Sequence, residues 1–213
     1  MFAIGADPIK SGLVASLNHP GNNLTGVSFF TNQMESKRLG LLHEIAPKAE
    51  LVGVLLNPNN PFFDNQLKDL EAASRTLGLK IHLERASNER DIAAAFTAFA
   101  QQRVGALLVG ADPYFNSQRA LVVGPTAQLR LPAIYEWQEF TEAGGLTSYG
   151  TSLTEAYRQV SDFVVRILKG AIPADLPVLQ STKFEFIINL KTARQIGIDV
   201  PPGLSARADA VIE

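Results

Sequence analysis

The chain has 213 residues, 46% hydrophobic and 19% charged, with a formal net charge of −2, which suits one well-buried domain or two smaller lobes. Near-neutral charge without a Lys/Arg cluster excludes an extended nucleic-acid surface, and no apolar run reaches the roughly 18 residues of a membrane span. The absence of cysteine excludes disulfides, thiolate catalysis and cysteine metal ligands, and fits an oxidising compartment.

In chain order, the opening residues FAIGADPI read as an apolar strand ending in Gly-Ala-Asp-Pro, followed by a short helix over 11–17 and a turn cluster from His19 to Asn23. A strand is predicted over 24–30. An amphipathic helix follows over 35–45, with Leu41, Leu42 and Ile45 on one face and Pro47 as its stop. Leu51–Leu56 is apolar on both faces and closes in Asn57-Pro58-Asn59-Asn60-Pro61. The next helix carries Phe63, Leu67, Leu70 and Leu77 on one stripe and ends at Gly78. After a short strand at 80–84, Asn88 is placed to cap a helix bearing Ile92, Phe96 and Phe99.

The run VGALLVGADPYF from Val104 reads as a strand buried on both faces, stopped by Asp112-Pro113 because proline gives no ladder N–H. It repeats the Gly-Ala-Asp-Pro ending of the first strand. A helix over 117–129 follows, then strand 131–135, a short helix over 137–143, strand 146–149 and a helix opened by a Ser152/Glu155 capping box. That helix is predicted to turn Leu153, Ala156, Val160, Phe163, Val164 and Ile167 inward. Residues 171–177 look linker-like, 184–188 form a strand, 191–196 a short helix, and Pro201-Pro202 introduces a tail. Strand and helix alternate throughout, which predicts an α/β fold with mainly parallel, doubly wound, flavodoxin-like sheets.

Neither a Walker loop nor GxGxxG occurs, no serine stands in a GxSxG elbow, and no clustered ligand set for a metal is visible. His19, His43 and His82 read as structural or solvated, and no cofactor is expected. Ligands of open α/β sheets bind beyond the carboxyl ends of strands. Asp7, Asn57, Asn60, Asp112, Tyr114, Phe115, Tyr135, Glu136, Trp137 and Tyr149 all fall at or just after such ends. All of these but Tyr149 are taken as the candidate ligand-binding set. Polar groups and aromatic faces converging on one edge suit a small polar molecule with an apolar or aromatic part. Each residue singly also has a turn, capping or packing reading. Two other classes fit parts of the pattern: an enzyme using Asp112 and Glu136 as an acid/base pair, and a ligand-sensing domain of a transcription regulator.

At these residues the chain resembles the ABC-transporter substrate-binding proteins of the tryptophan/tyrosine-transport type, which have a periplasmic-binding-protein type I fold. The resemblance rests on Ala6-Asp7-Pro8, the segment from Pro20 to Gly26, Lys37-Arg38-Leu39, the segment from Asn57 to Pro61, Ala111-Asp112-Pro113 and the segment from Leu131 to Tyr135. It continues through the segment from Glu142 to Gly150, Ile167-Leu168-Lys169-Gly170, Ala174-Asp175-Leu176-Pro177 and the segment from Ile188 to Ala193.

That resemblance implies two α/β lobes joined by crossovers at 24–31, 146–152 and 176–188, closing on a solute in an interlobe cleft and delivering it to an ABC permease in the membrane. It implies a periplasmic or otherwise extracytoplasmic location, although these residues hold no signal-peptide pattern. By the same mapping, 1–30 is a remnant of the first lobe, 31–148 the second lobe, 149–176 a helix returning to the first, and 177–213 a crossover with the C-terminal segment. The first lobe is then expected to be incomplete, with Met1 opening partway through a longer protein. The wide apolar stripe of helix 152–169 is expected to self-associate or to take a partner chain. The expected solute is amino-acid-like or aromatic, held by the aromatics, with Asp112 orienting an ammonium.

Overall fold

The structure is a computed structural model that describes residues 1–5, 7–29, 34–181 and 183–213. The chain forms two compact units, the first from Met1–Asn32 with Thr151–Phe184 and the second from Gln33–Gly150 with Glu185–Glu213.

Unit 2 is built on a seven-stranded sheet. Its strands in chain order are β3 (Leu51–Leu56), β4 (Lys80–Arg85), β5 (Ala106–Val109), β6 (Ala133–Tyr135), β7 (Thr147–Thr151, whose last residue belongs to unit 1), β9 (Phe184–Asn189, whose first does) and β10 (Ala210–Ile212). Their spatial order is β10-β9-β7-β6-β5-β3-β4. β3 pairs in parallel with β4 and β5, β5 with β6, β6 with β7, and β10 with β9. The Asn189 amide donates to Leu146 O at 2.8 Å and Thr147 Oγ1 donates to Ile187 O at 2.7 Å. The end of β9 therefore lies against the start of β7, and β9 with β10 runs opposite to the other five strands. The sheet is mainly parallel, as the strand–helix alternation predicts.

The helices cover the sheet. α1 (Glu35–Ile45), α2 (Phe63–Leu77) and α3 (Glu89–Gln102) agree with the periodicity, and α2 and α3 are amphipathic. Asn88 caps α3 by accepting from Asp91 N at 3.0 Å. Gly78 ends α2 at φ +70°, a left-handed conformation that glycine adopts without Cβ strain. Leu39, Leu42, Val54, Leu56, Leu70, Leu108 and Ile134 belong to the fully enclosed core of this unit. Where a helix over 117–129 is predicted, the structure has two, α4 (Pro113–Ser117) and α5 (Arg119–Gln128), separated at Gln118. Asp112 starts α4 early by accepting from Tyr114 N at 2.8 Å, and that shifts the helical frame forward. The Pro201-Pro202 tail folds as α9 (Pro202–Ser205) and β10, and β10 is fixed by the Asp209 amide donating to Phe186 O at 2.8 Å. Between lie α6 (Gln138–Glu142) and α8 (Leu190–Ile196).

Unit 1 has a three-stranded parallel sheet, β1 (Phe2–Ile4), β2 (Gly26–Ser28) and β8 (Leu179–Gln180), in the order β1-β2-β8. The helix predicted over 11–17 is instead a series of turns. Asp7 Oδ1 accepts from the amides of Ile9 and Lys10, Asp7 O accepts from Ser11, and Gly12 lies at φ +69°, so the local bonds close turns and no ladder propagates. Residues 30 and 31, where the first predicted crossover ends, lie outside the described residues, as do Ala6 and Thr182.

α7 (Leu153–Leu168) covers the unit 1 sheet, with Ala156 and Phe163 buried against Val27, Phe29 and Leu176. Leu153, Val160 and Ile167 are partly buried there. Val164 does not turn inward. It is 39% exposed, on one outer row with Tyr157 and Leu168, the last 82% exposed. An exposed apolar row of this kind drives association in water. Light scattering of the isolated chain is expected to show mass rising with concentration. Leu168→Lys should lower that rise while changing unfolding stability by less than about 0.5 kcal/mol; a constant monomeric mass would refute the association.

Two glycines give opposite stability predictions. A β-carbon at Gly150 would collide with the Glu136 carbonyl oxygen, so Gly150→Ala is expected to cost about 1–3 kcal/mol. Gly124, within α5, has nothing within 4 Å of that position, and Gly124→Ala should stabilise by about 0.5–1 kcal/mol. Denaturant titration of both variants checks the pair.

Candidate functional site

Following the sheet of unit 2 in chain order, β4 lies on one side of β3 while β5, β6 and β7 extend on the other. The order therefore reverses between β3 and β5, and their carboxyl ends open the crevice in which α/β sheets bind ligands. Asn57 and Asn60 follow β3; Asp112 follows β5.

Hydrogen bonds bring these three residues together. Asn57 Nδ2 donates to Asp112 Oδ1 at 3.1 Å, and Asn60 Nδ2 donates to Asp112 Oδ2 at 2.7 Å and to Ala111 O at 3.0 Å. Each asparagine uses its own carbonyl oxygen to close its turn, Asn57 for the amide of Asn59 and Asn60 for that of Phe62. With the Tyr114 amide on Oδ1 as well, both carboxylate oxygens of Asp112 already accept hydrogen bonds, and the residue is 6% exposed. Bonds to a charged acceptor contribute roughly 1.5–3 kcal/mol each, so Asp112 first of all holds the two strand-end loops together.

The other candidate residues divide by burial. Phe115 is enclosed beneath α4, and Tyr135 is fully enclosed and stacked on Phe140 with centroids 4.7 Å apart. The Tyr135 hydroxyl lies beside Thr126 without a hydrogen bond of ordinary geometry, and burial pushes its phenol well above the usual range. Trp137 is buried at the start of α6, and Tyr114 is partly buried at the start of α4. Trp137 Nε1, Tyr114 Oη and Ser148 Oγ are buried polar atoms without a hydrogen-bond partner among the described residues. Glu136 is buried at the end of β6, and its charge helps hold Arg38 protonated. Tyr149 is partly buried, edge-on to Phe186. Asp7 belongs to unit 1, where it closes the turn described above; the other eight candidate residues belong to unit 2.

Two charged residues outside the candidate set lie at the centre of this edge. Glu35 and Arg38, both fully buried, form a two-pronged ion pair, with Nη2 to Oε1 at 2.8 Å and Nε to Oε2 at 3.2 Å. Burial works against the Arg38 charge, but the Glu35 charge and hydrogen bond outweigh it and raise its pKa. A sequence signal was present. Positions 35, 38, 42 and 45 share one helical row, and two of them are charged where Leu42 and Ile45 face the core. A charge on an inward row requires a partner.

Among the described residues no group of three or more His, Asp or Glu side chains is arranged to hold a metal. Half-buried Glu139 has a pKa raised by burial, with Glu142 adding to the shift. A carboxyl whose folded pKa exceeds its unfolded value weakens the fold once pH rises above the unfolded value, about 4.3. Glu139→Gln should therefore raise the melting temperature at neutral pH, and the gain should vanish below about pH 4. Equal gains at both pH values would contradict this origin.

The model of the ABC transporter substrate-binding protein family matches residues 1–212. A tyrosine-binding protein of Clostridioides difficile is 24% identical over 190 residues, covering 89% of this chain and 54% of its own length, so the chain spans about half of that relative. Among solved structures, an ABC domain from Streptococcus pneumonia in complex with L-Trp superposes with a TM-score of 0.82 at 27% identity, over 97% of this chain and 69% of the other. A conserved domain protein from Vibrio cholerae gives 0.82 at 26% identity, over 96% and 68%. The α/β architecture with mostly parallel sheets is that of the type I periplasmic binding proteins. With the family model matching residues 1–212, the chain belongs to the ABC transporter substrate-binding proteins.

Proposed function

We propose that this chain is the solute-binding component of an ABC importer, working outside the cytoplasm and passing an aromatic amino acid, without turnover, to a membrane permease. The observation that carries this reading is the family match across residues 1–212. Support for the cargo comes from one relative named as tyrosine-binding and another solved with L-Trp. The carboxyl edge of unit 2 suits such a solute. Tyr114 and Trp137 offer aromatic faces, each stacked pair contributing about 0.5–1.5 kcal/mol beyond burial. Ser148 Oγ and Trp137 Nε1 offer hydrogen bonds, and Glu136 supplies negative charge for an ammonium. Asp112 acts through the loops it holds, and with both oxygens already accepting it is poorly suited to acid/base work. No described helix is long and apolar enough to cross a membrane.

Calorimetric titration with L-tryptophan, L-tyrosine and indole-3-propionate tests this reading. Both amino acids are expected to bind, and the propionate, lacking an ammonium, to bind at least about tenfold more weakly, a difference of about 1.4 kcal/mol. Trp137→Ala and Glu136→Gln should each weaken L-tryptophan by a similar factor, with no product on prolonged incubation. Absence of heat with both amino acids, or appearance of product, would overturn the reading.

A further inference from the structure

We infer that the buried Glu35–Arg38 pair positions the ligand-facing edge of unit 2, locking the Asp112 turn to the exit of β7. The inference rests on the binding role proposed above. Glu35 Oε1 accepts from three elements at once: Arg38 Nη2 in its own helix at 2.8 Å, Gln66 Nε2 of α2 at 3.3 Å, and the Ala111 amide beyond β5 at 3.0 Å. Gln66 Nε2 also donates to Ala111 O at 2.8 Å, so both backbone polar groups of Ala111 are held by side chains of two helices. Asn60 joins them on the same oxygen at 3.0 Å. On the other side, Arg38 Nη1 donates to Tyr149 O at 3.0 Å, next to Gly150, the last residue of unit 2 before the chain enters unit 1.

Nothing in core packing calls for these charges. Desolvating two ions is costly, and apolar residues of similar volume often replace a buried pair without loss of stability. What the pair supplies is direction. The guanidinium fork and the carboxylate plane fix angles as well as distances, and only a residue with donors on several sides can hold Glu35 and Tyr149 O together. Glu35 and Arg38 are therefore positioning residues, acting on ligand through Asp112, Tyr114 and the β7 exit.

The test uses the whole chain carrying Arg38→Lys, and separately the double variant Glu35→Met/Arg38→Met, which keeps volume and removes both charges. Amide hydrogen exchange is followed at Ala111 and Tyr114, with Val54 and Leu108 in the core strands as global reporters, alongside calorimetry with L-tryptophan. Exchange at Ala111 is expected to accelerate at least tenfold in the double variant while Val54 and Leu108 keep their rates, and both variants should bind L-tryptophan at least tenfold more weakly. A purely structural role would instead accelerate all four amides together with a fall in melting temperature. That result, or unchanged Ala111 exchange, would overturn the inference. If the unaltered chain binds no L-tryptophan, the binding role fails, and the exchange pattern alone decides whether the pair positions this edge.

Discussion

A buried carboxylate persists only where donors surround it, and the carboxyl edge of unit 2 is organised by that requirement. Asp112 draws the amides of Asn57 and Asn60 from the loop after β3 and the Tyr114 backbone amide from its own turn. One residue earlier, Glu35 takes the Ala111 amide. Consecutive residues just beyond β5 are thus each held by side chains of neighbouring elements, at the point where the strand order reverses. Parallel strands end with backbone groups that have no ladder partner; here side chains take up those groups, which makes the edge a rigid surface.

Much of this was legible in the residues. The run from Val104 to Val109 is apolar at every position except Gly105, and only a strand covered on both faces buries such a run. Asn57, Asn60 and Asp112 could each be placed at a strand end from turn chemistry alone. Their mutual bonding could not, because it depends on which strands are neighbours, and the adjacency of β3 and β5 follows from β4 being laid down on the far side of β3. Glu35 escaped attention because a carboxylate in a first helical turn is ordinarily explained by the helix dipole. Val164 was misplaced because the apolar stripe of α7 is wider than the sheet beneath it, and periodicity alone does not say which part of a stripe is covered. Phe115 and Tyr135 show the same ambiguity: an aromatic after a strand can face a ligand or its own core, and here both are enclosed.

The two units differ in how they are stabilised. Unit 2 buries large side chains from α1, α2, β3, β5 and β6 in one extensive cluster, and further large side chains such as Phe99, Phe115 and Tyr135 outside it. Unit 1 has a small core of Val27, Phe29, Ala156, Phe163 and Leu176, drawn from two stretches separated by well over one hundred residues of unit 2. Closing so long a loop adds only slowly to the entropic cost, yet it places unit 1 after unit 2 in any folding order that favours near neighbours.

The reversed direction of β9 has a further consequence for dissecting the protein. β7 leaves unit 2 and β9 enters it at the same edge of the sheet, as adjacent strands. Gly150 and Glu185 are therefore the two arms of an interrupted hairpin, with unit 1 residues 151–184 inserted at its tip. A turn of two to five residues is the usual closure for such a pair. Unit 2 can thus be excised as a continuous polypeptide starting near Gln33, with no strand displaced and no permutation of the chain.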